Sequence, residues 1–272
     1  MYGTHFGLYW NVILRSKLLK FCRFLFNSDC WVSRLNLDEF FAREAFINSE
    51  FSSLQREVLV ELFGHGHIRN FRTEEFVYLQ EDEPSCVYFV VSGHIRLSYL
   101  LEDGTPILFS VLPAGESFGE LGVFDGGGHA EMATAIGDSS VLAIPQATLF
   151  GLFENYGELE KVLGRTVARR YRSYMHLSRI LGLKSLAGRL SQCLVRLADV
   201  LGDRVEYNGR EVLQIGPYLT QTDLGLMARG ARGNVNRTLK AWEAEGWIAM
   251  DHRRILILER NSLENAAFTD DY

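Results

Sequence analysis

The spacing of apolar residues changes along the first half of the chain. Residues 37–55 and 54–63 have helical periodicity, with Phe40, Phe41, Ala45 and Phe46 on the first stripe. From residue 65 to residue 144 the pattern becomes short runs of Val, Ile, Tyr and Phe between turn signals. The clearest predicted strands are residues 87–91, 95–99, 107–112 and 141–144. Strands at this regular spacing predict a small antiparallel sandwich or roll.

Residues 146–183 carry a long helical pattern with an internal repeat. Its apolar seam steps alternately by four and three residues, through Leu163, Val167, Arg170, Tyr174, Leu177 and Leu181. This heptad spacing is typical of a two-stranded coiled coil and predicts a homodimer formed through residues 159–183. The alternative is a helix packed along its own domain, with Arg165, Arg169, Arg172 and Arg179 on a solvated face.

The pattern of residues 188–258 is helix, loop, helix, helix and hairpin. The sequence from Thr220 to Asp223 has the form of a capping box at a helix start. A short helix over 224–228 is followed by a turn in which Gly230 is expected to supply a positive φ, and then by a second helix over 232–245. Strands at 247–250 and 255–258 flank a polar tip, so this region predicts a winged helix-turn-helix.

The elements together predict an α+β protein: an N-terminal antiparallel β-roll, a long dimerisation helix and a C-terminal winged helix-turn-helix. The predicted divisions are an extension at 1–36, the roll at 37–150, the dimerisation helix at 151–187 and the winged domain at 188–272. Residues 15–26 could form a basic amphipathic helix on a membrane or partner, but an accessory or wrongly assigned extension is the favoured interpretation. Its apolar run is too short to cross a bilayer.

Charge is distributed unevenly along the chain. The net charge of −6 over 272 residues argues, taken whole, against a nucleic-acid partner. However, residues 38–160 have a net charge of −16 and residues 161–196 a net charge of +9. The acidic excess therefore lies in the predicted roll, away from the helix-turn-helix.

Cysteine and motif content exclude several classes of protein. Cys22, Cys30, Cys86 and Cys193 are too scattered for a disulfide framework or an iron-sulfur cluster, so a reducing cytoplasm is expected. The pair His65 and His67 could bind a metal ion, although ordinary strand positions are favoured. The sequence contains no G-x-S-x-G, P-loop or H-E-x-x-H motif, and we therefore expect no enzyme and no metal site.

Two segments carry candidate chemistry. The second helix of the helix-turn-helix combines a buried stripe, Val235, Leu239 and Trp242, with long or hydrogen-bonding polar side chains near its start. Such a division is typical of a recognition helix that enters the major groove. The second segment, residues 115–128, has six glycines in fourteen residues. Glycines can turn backbone amides toward an anion, although turn and bulge glycines explain the pattern equally well.

These motifs resemble the cyclic-AMP receptor protein and FNR family of bacterial transcription regulators, particularly alphaproteobacterial members. The resemblance covers nearly all of residues 38–260 and rests on residues 118–125, 188–190, 219–224 and 235–237. It implies that the roll is like a cyclic-nucleotide-binding jelly roll. It also implies a cytoplasmic homodimer that reads a palindromic promoter site on double-stranded DNA and contacts RNA polymerase, with no membrane association.

The resemblance also implies DNA-binding residues. Arg232 and Arg237 match positions that contact guanines, and Lys240 matches a phosphate contact. Gly233 stands where many members have a base-reading glutamate, so we expect a half-site that differs from the cyclic-AMP receptor consensus. The full predicted set is Thr222, Arg232, Gly233, Asn234, Asn236, Arg237 and Lys240.

For the effector, cyclic AMP or cyclic GMP is the cofactor that the resemblance suggests. Gly119 and Glu120 match a backbone amide and a ribose-binding carboxylate, but His129 stands where a phosphate-binding arginine is expected, and Glu131 would repel a phosphate. The predicted effector residues are Gly119, Glu120, Leu121, His129, Ala130 and Tyr174. Two alternatives stay open: an effector-independent regulator with a degenerate pocket, and a ligand-binding module that acts on another protein.

Overall fold

The computed structural model describes residues 37–267, so the expectations for the extension at 1–36 lie outside the described residues. The chain begins with short helices, α1 (Leu37–Phe41), α2 (Glu44–Ile47), a 3-10 turn (Glu50–Ser53) and α3 (Arg56–Gly64). The first predicted helical stretch is therefore broken. The hydroxyls of Ser49, Ser52 and Ser53 each donate to the carbonyl three residues earlier, which favours isolated turns over a continuous helix.

An antiparallel roll follows, as the alternation predicted. Its strands are β1 (His67–Phe71), β2 (Phe76–Tyr78), β3 (Cys86–Leu100), β4 (Pro106–Leu112), β5 (Ser117–Phe118) and β6 (Met132–Pro145). The main path is β1-β6-β3-β4, with β2 paired to β6 and β5 to β3. Two predicted strands, 87–91 and 95–99, join into the single long β3, whose register shifts near Gly93, a glycine at φ 78°.

Side chains alternate across the sheet into two cores. Tyr88 and Val90 of β3 point into the roll, where they pack with Phe118 from β5. Val87 and Phe89 point outward onto the N-terminal helices, where the Phe63 and Phe89 rings lie 4.8 Å apart. This alternation follows from the two-residue period of a strand, and it explains why apolar runs rather than strict alternation mark β3 in the sequence.

A short helix, α4 (Glu120–Asp125), lies in the loop between β5 and β6. Two helices, α5 (Gln146–Asn155) and α6 (Gly157–Leu181), follow the roll. The sequence predicted one helix here. The backbone of Tyr156, at φ −133° and ψ 72°, breaks the helix before Gly157. The long helix therefore starts at Gly157 rather than within the stretch from 146.

Part of the predicted dimer seam on α6 is buried within the chain itself. Leu163, Arg170 and Leu177 are buried against the protein's own domains, whereas Val167, Tyr174 and Leu181 are half-buried. The exposed apolar positions are instead Tyr171 and Met175, one residue further along, at 64% and 47% exposure. A heptad pattern records which face is buried but not what buries it, and here the roll and the winged domain do so.

The C-terminal domain contains α7 (Leu186–Leu201), β7 (Gly202–Tyr207), β8 (Arg210–Ile215), α8 (Gln221–Ala228), α9 (Arg232–Ala244), β9 (Ile248–Asp251), β10 (Arg254–Ile257) and α10 (Arg260–Asn265). Its sheet order is β7-β8-β10-β9. The predicted winged helix-turn-helix is confirmed. However, β7 and β8 lie where the sequence pattern predicts only a loop. Their exposed, charged residues hide the alternation that marks a half-buried strand.

The turn between α8 and α9 differs from its predicted geometry. The positive φ of 52° belongs to Arg229, which ends α8, and not to Gly230. A Cβ at Gly230 would lie 2.4 Å from the side chain of Leu186 on α7, which can move to make room. A Cβ at Gly225 would lie 2.4 Å from the backbone carbonyl oxygen of Gly230, so glycine is required for space at 225, where α8 lies against the turn.

The roll and the winged domain share an interface. The Arg96 guanidinium on β3 lies 3.0 Å from the Asp223 carboxylate on α8 and 3.1 Å from Glu74. Nearby, the His94 and Tyr218 rings stack with their centroids 3.8 Å apart. Leu108 of β4 belongs to the core cluster of the winged domain. The domain is thus held to the roll through the first helix of its helix-turn-helix.

Arg96→Met should destabilise the protein, because the nearly buried Asp223 carboxylate would lose its cation. We expect a loss of roughly 1–3 kcal/mol in the free energy of unfolding, since Asp223 keeps its bonds to Thr220. The matched control is Arg204→Met, which removes the exposed Arg204–Glu211 pair and should cost less than about 1 kcal/mol. Urea denaturation followed by tryptophan fluorescence measures both. Equal losses would contradict a structural role for the interface pair.

Candidate functional site

Helix α9 presents one polar face to solvent and buries the other. Val235, Leu239 and Trp242 are buried in the winged domain, as predicted. On the opposite face Arg232, Gly233, Asn234, Arg237 and Lys240 are exposed, and they lie in the first nine residues of the helix. Among these, Gly233 has open space around its Cα, so the first turn presents no side chain at that position.

Asn236 and Thr222, which the sequence predicts to bind DNA, differ in their hydrogen bonding and in their exposure. The Asn236 side-chain oxygen accepts a hydrogen bond from the Gln221 amide at 3.1 Å, which ties α9 to the start of α8. Thr222 is exposed on the first turn of α8. The expected capping box is present, since the Thr220 hydroxyl accepts from the Asp223 amide and the Asp223 carboxylate accepts from the Thr220 amide. The hydrogen bond between Gln221 and Asn236 therefore connects the starts of the two helices at the exposed face.

A cavity of about 470 Å³ lies between the start of α8, the start of α9 and the wing. Its wall includes two guanidinium groups, of Arg232 and Arg253, together with Thr220 and Thr222. The wing tip turns through His252 and Arg253, both at positive φ, which exposes their side chains and Arg254. Sequence reasoning missed Arg253 and Arg254 as candidates, although a basic pair at the tip of a predicted hairpin was the available signal.

The interior of the roll contains a buried ion pair. Glu120 begins α4 after Gly119, and its carboxylate has no exposed surface. Its Oε1 bonds to Nη1 of Arg170, which also donates through Nη2 to the Ser117 carbonyl. Burial is the largest single influence on the pKa of Arg170 and lowers it, but the charge of Glu120, its hydrogen bond to Arg170 and smaller contributions together outweigh burial and raise that pKa above its ordinary value. The pair links the roll directly to α6.

His129 lies beside this pair in an aromatic stack. Its ring lies on Tyr78 with centroids 3.6 Å apart and planes within 9°, and it is 2% exposed. The Tyr78 hydroxyl donates to Glu131 at 3.1 Å. Burial and then the carboxylate of Glu131 raise the pKa of Tyr78, so its hydroxyl stays protonated. Burial and the charge of Glu120 likewise raise the pKa of Glu131.

The structure brings part of the predicted effector set together. Gly119, Glu120 and His129 are buried at one place, and Tyr174 lies on the same helix as Arg170, one turn further on. Leu121 is half-buried and Ala130 is exposed. Sequence reasoning treated Arg170 only as a seam position and so missed the cation that binds Glu120. An arginine at a heptad seam position was the signal for a buried charge.

Other candidate chemistry does not assemble. Within residues 37–267, no group of three His, Cys, Asp or Glu side chains could hold a metal ion. His65 caps the end of α3 and its Nδ1 contacts the Glu61 carbonyl, while Cys86 lies on β3 and Cys193 on α7. No helix in the part of the chain that the structure describes is long and apolar enough to cross a membrane.

Comparison with known domains agrees with both halves of this architecture. Residues 68–156 match the cyclic nucleotide-binding domain, and residues 188–266 match the Crp-like helix-turn-helix domain. The fold and its surfaces define a non-enzymatic DNA-binding regulator with a sensor-like roll. The chain belongs to the CRP/FNR family of transcription regulators.

Similar proteins extend over most of the chain. A CRP-like cAMP-activated global transcriptional regulator of Mycobacterium tuberculosis is 24% identical over 235 residues, covering 85% of this chain and 100% of that protein. The solved structure of FixK2 from Bradyrhizobium japonicum superposes with a TM-score of 0.65 at 23% identity, covering 74% and 96% of the two chains. The c-di-GMP responsive regulator CLP of Xanthomonas campestris gives 0.64 at 17% identity, covering 75% and 99%.

Arg170→Met should strongly destabilise the protein, because it leaves the fully buried Glu120 carboxylate without a cation. We expect a loss of about 3–5 kcal/mol, with most of it recovered in the double variant Arg170→Met/Glu120→Leu. The neighbouring Arg169, which is 44% exposed and pairs with Glu116 at 2.7 Å, provides the control Arg169→Met, expected below about 1 kcal/mol. Denaturant unfolding measures these losses. If the loss in the double variant equalled the sum of the losses in the two single variants, coupling between the two residues would be excluded.

Proposed function

We propose that this protein is a cytoplasmic homodimer that reads a palindromic promoter site through α9 and the wing. The observation that carries the proposal is the composition of one surface. The start of α9 presents Arg232, Arg237 and Lys240 to solvent, and Arg253 of the wing joins Arg232 around the same cavity. Winged helix-turn-helix proteins insert the start of such a helix into the major groove.

The residues on this surface have different proposed roles. Arg232 and Arg237 are suited to bidentate hydrogen bonds with guanine, and Asn234 to adenine. Lys240, Thr222 and the wing arginines are suited to phosphates, which supply affinity but little sequence information. Asn236 acts through α8, because its oxygen is engaged by Gln221. The open space at Gly233 supports a half-site unlike the cyclic-AMP receptor consensus.

The second copy is proposed to pack along the exposed face of α6. Gly164, Ala168, Tyr171, Met175 and Ser178 repeat at steps of four and three residues and are exposed. Small residues at three of these positions would allow the helices to approach closely, and Tyr171 and Met175 supply the apolar area. This register replaces the seam that the sequence predicted, within the same segment 159–183.

The remaining proposals follow the domain order. Residues 37–150 would act as the sensor, 151–187 as the dimer connection and 188–272 as the DNA-binding domain. A small effector would bias α6 through the Glu120–Arg170 pair and so set the spacing of the two α9 helices, about 34 Å apart on DNA. Relatives named for cyclic AMP support cyclic AMP or cyclic GMP as the first effectors to test. Promoter binding makes RNA polymerase the proposed protein partner.

Arg237→Ala should weaken binding to a site selected from random DNA by about 1–3 kcal/mol per half-site and relax the preference at one base pair. Lys240→Ala should weaken binding to all sequences and make the salt dependence shallower by about one unit for each half-site. Gel shifts over a salt series measure both effects. Arg204→Ala on β7 removes the same charge away from α9 and should change neither. If Arg204→Ala weakened binding equally, the DNA surface would be assigned wrongly.

Met175→Lys should convert the dimer to monomers, because the two introduced lysines would face each other where the α6 helices of the two copies meet. DNA affinity should then fall by about 10²–10⁴-fold, since each monomer binds one half-site without the benefit of linkage. Sedimentation velocity and gel shifts provide the measurements. Val200→Lys, on an exposed apolar residue of α7, is the control and should remain dimeric. A dimeric Met175→Lys protein would refute this face.

A further inference from the structure

Three phenylalanine rings form an exposed cluster on α4 and α5. Phe124 of α4 and Phe150 of α5 are 42% and 39% exposed, and they are the two most exposed phenylalanines within residues 37–267. Their ring centroids lie 6.3 Å apart, and both rings also pack on Phe153 of α5, at 6.0 and 5.7 Å. Single apolar side chains are ordinary on a surface, but rings from two elements that touch one another form a continuous apolar area. We call these three residues the phenylalanine patch.

The helices beneath the phenylalanine patch are held by the core. The Gln146 side chain at the start of α5 donates to the Val123 carbonyl of α4 at 3.3 Å. Val123 is buried in the same core cluster as Leu149 and Leu152 of α5, and Phe153 packs against that cluster. The patch is therefore a fixed feature of the roll, with two of its rings extending from a packed base to solvent.

Acidic side chains lie around the patch. Asp125 is the neighbour of the exposed ring on α4, and Glu154 lies one helical turn after the exposed ring on α5. Glu83 precedes Pro84, which packs on α4, since a Cβ at Gly122 would lie 3.0 Å from the Pro84 ring. All three carboxylates are exposed, and neither α4 nor α5 contains a lysine or an arginine. The patch therefore suits a partner that combines apolar and basic side chains.

The chain itself contains a segment with this composition. Residues 15–26 contain three phenylalanines and two leucine pairs or singles among four cations, and no acidic residue; the cations are Arg15, Lys17, Lys20 and Arg23. The roll, by contrast, has a net charge of −16 over residues 38–160. Opposite charges favour association of the segment with the patch, and contact between their apolar side chains removes further surface from water.

The segment is tethered within reach of the patch. Leu37, where the described part of the chain begins, packs against the same core cluster as Phe153. Eleven residues of chain lead from Phe26 to Leu37, and a fully extended chain of that length spans roughly 36–40 Å. Such a tether raises the effective concentration of the segment at its own roll to about the millimolar range. A site on the same chain is therefore favoured over a separate partner.

We propose that residues 15–26 bind the phenylalanine patch of their own roll. The apolar side chains of the segment cover the exposed rings, and its four cations lie beside the surrounding carboxylates. The N-terminal extension then covers an apolar surface that would otherwise favour self-association. This interaction concerns a surface of the roll that the DNA-binding proposal does not use, and it stands or falls independently of that proposal.

Disulfide trapping in the full-length protein tests this interaction. Cys22 lies within the segment, so the background keeps it and carries Cys30→Ser and Cys86→Ser. A second thiol is introduced either by Glu154→Cys beside the patch or by Asp103→Cys in the exposed turn between β3 and β4. With oxidised glutathione, the Glu154→Cys protein should form a disulfide to Cys22 within one chain at least about ten times faster than the Asp103→Cys protein. Non-reducing gels and mass spectrometry of the linked peptides measure the rates.

Two further variants separate binding from tethering. Phe124→Ser/Phe150→Ser removes the exposed rings but keeps the tether and the charges, so the Glu154→Cys reaction should slow at least about fivefold while the Asp103→Cys reaction is unchanged. Replacement of the four cations of residues 15–26 by glutamate should also abolish the preference for Glu154→Cys. This second variant alters no residue from 37 onward, so the roll keeps its own contacts.

Several outcomes would overturn the proposal. One is an equal rate for Glu154→Cys and Asp103→Cys, and another is a preference that neither the ring variant nor the charge variant reduces. Disulfides between two chains would assign the segment to a second copy instead. Equal rates together with cosedimentation of the protein with phosphatidylglycerol vesicles would assign the segment to a membrane surface.

Discussion

The buried bond between Glu120 and Arg170 joins the roll to α6, and α6 leads to the winged domain. Glu120 starts a short helix in the roll, and Arg170 lies at the middle of the helix that leads to the winged domain. A nearly buried charge pair tolerates little displacement, because its groups cannot readily exchange their partner for water. The positions of Glu120 in the roll and of Arg170 on α6 are therefore tied to each other.

A second polar contact lies at the other end of this connection. Arg96 on β3 binds Asp223, and Asp223 is also the carboxylate of the capping box that starts α8. The first helix of the helix-turn-helix is thus positioned by the roll as well as by its own domain. His94 and Tyr218 stack beside the pair and extend the contact. The roll and the winged domain are joined both through α6 and directly across this interface.

The uneven charge of the chain has a structural counterpart. The acidic residues are concentrated in the roll, whereas Arg232 of α9 and Arg253 of the wing lie around one cavity in the winged domain. The total charge of −6 therefore says little about the DNA surface. It does oppose nonspecific attraction to DNA, so that specific contacts and dimerisation carry a larger share of the affinity.

The sequence alone determined the order of the elements, since the two-residue and 3.6-residue periods distinguish β3 and β6 from α6, α8 and α9. It also located the buried stripe of α9 and the capping box at Thr220, because these depend on neighbours a few residues away. Tertiary structure decided the rest. Arg170 has the spacing of a coiled-coil seam, yet it faces Glu120 fifty residues away. Which groups meet across a core depends on packing between distant segments, which local periodicity does not encode.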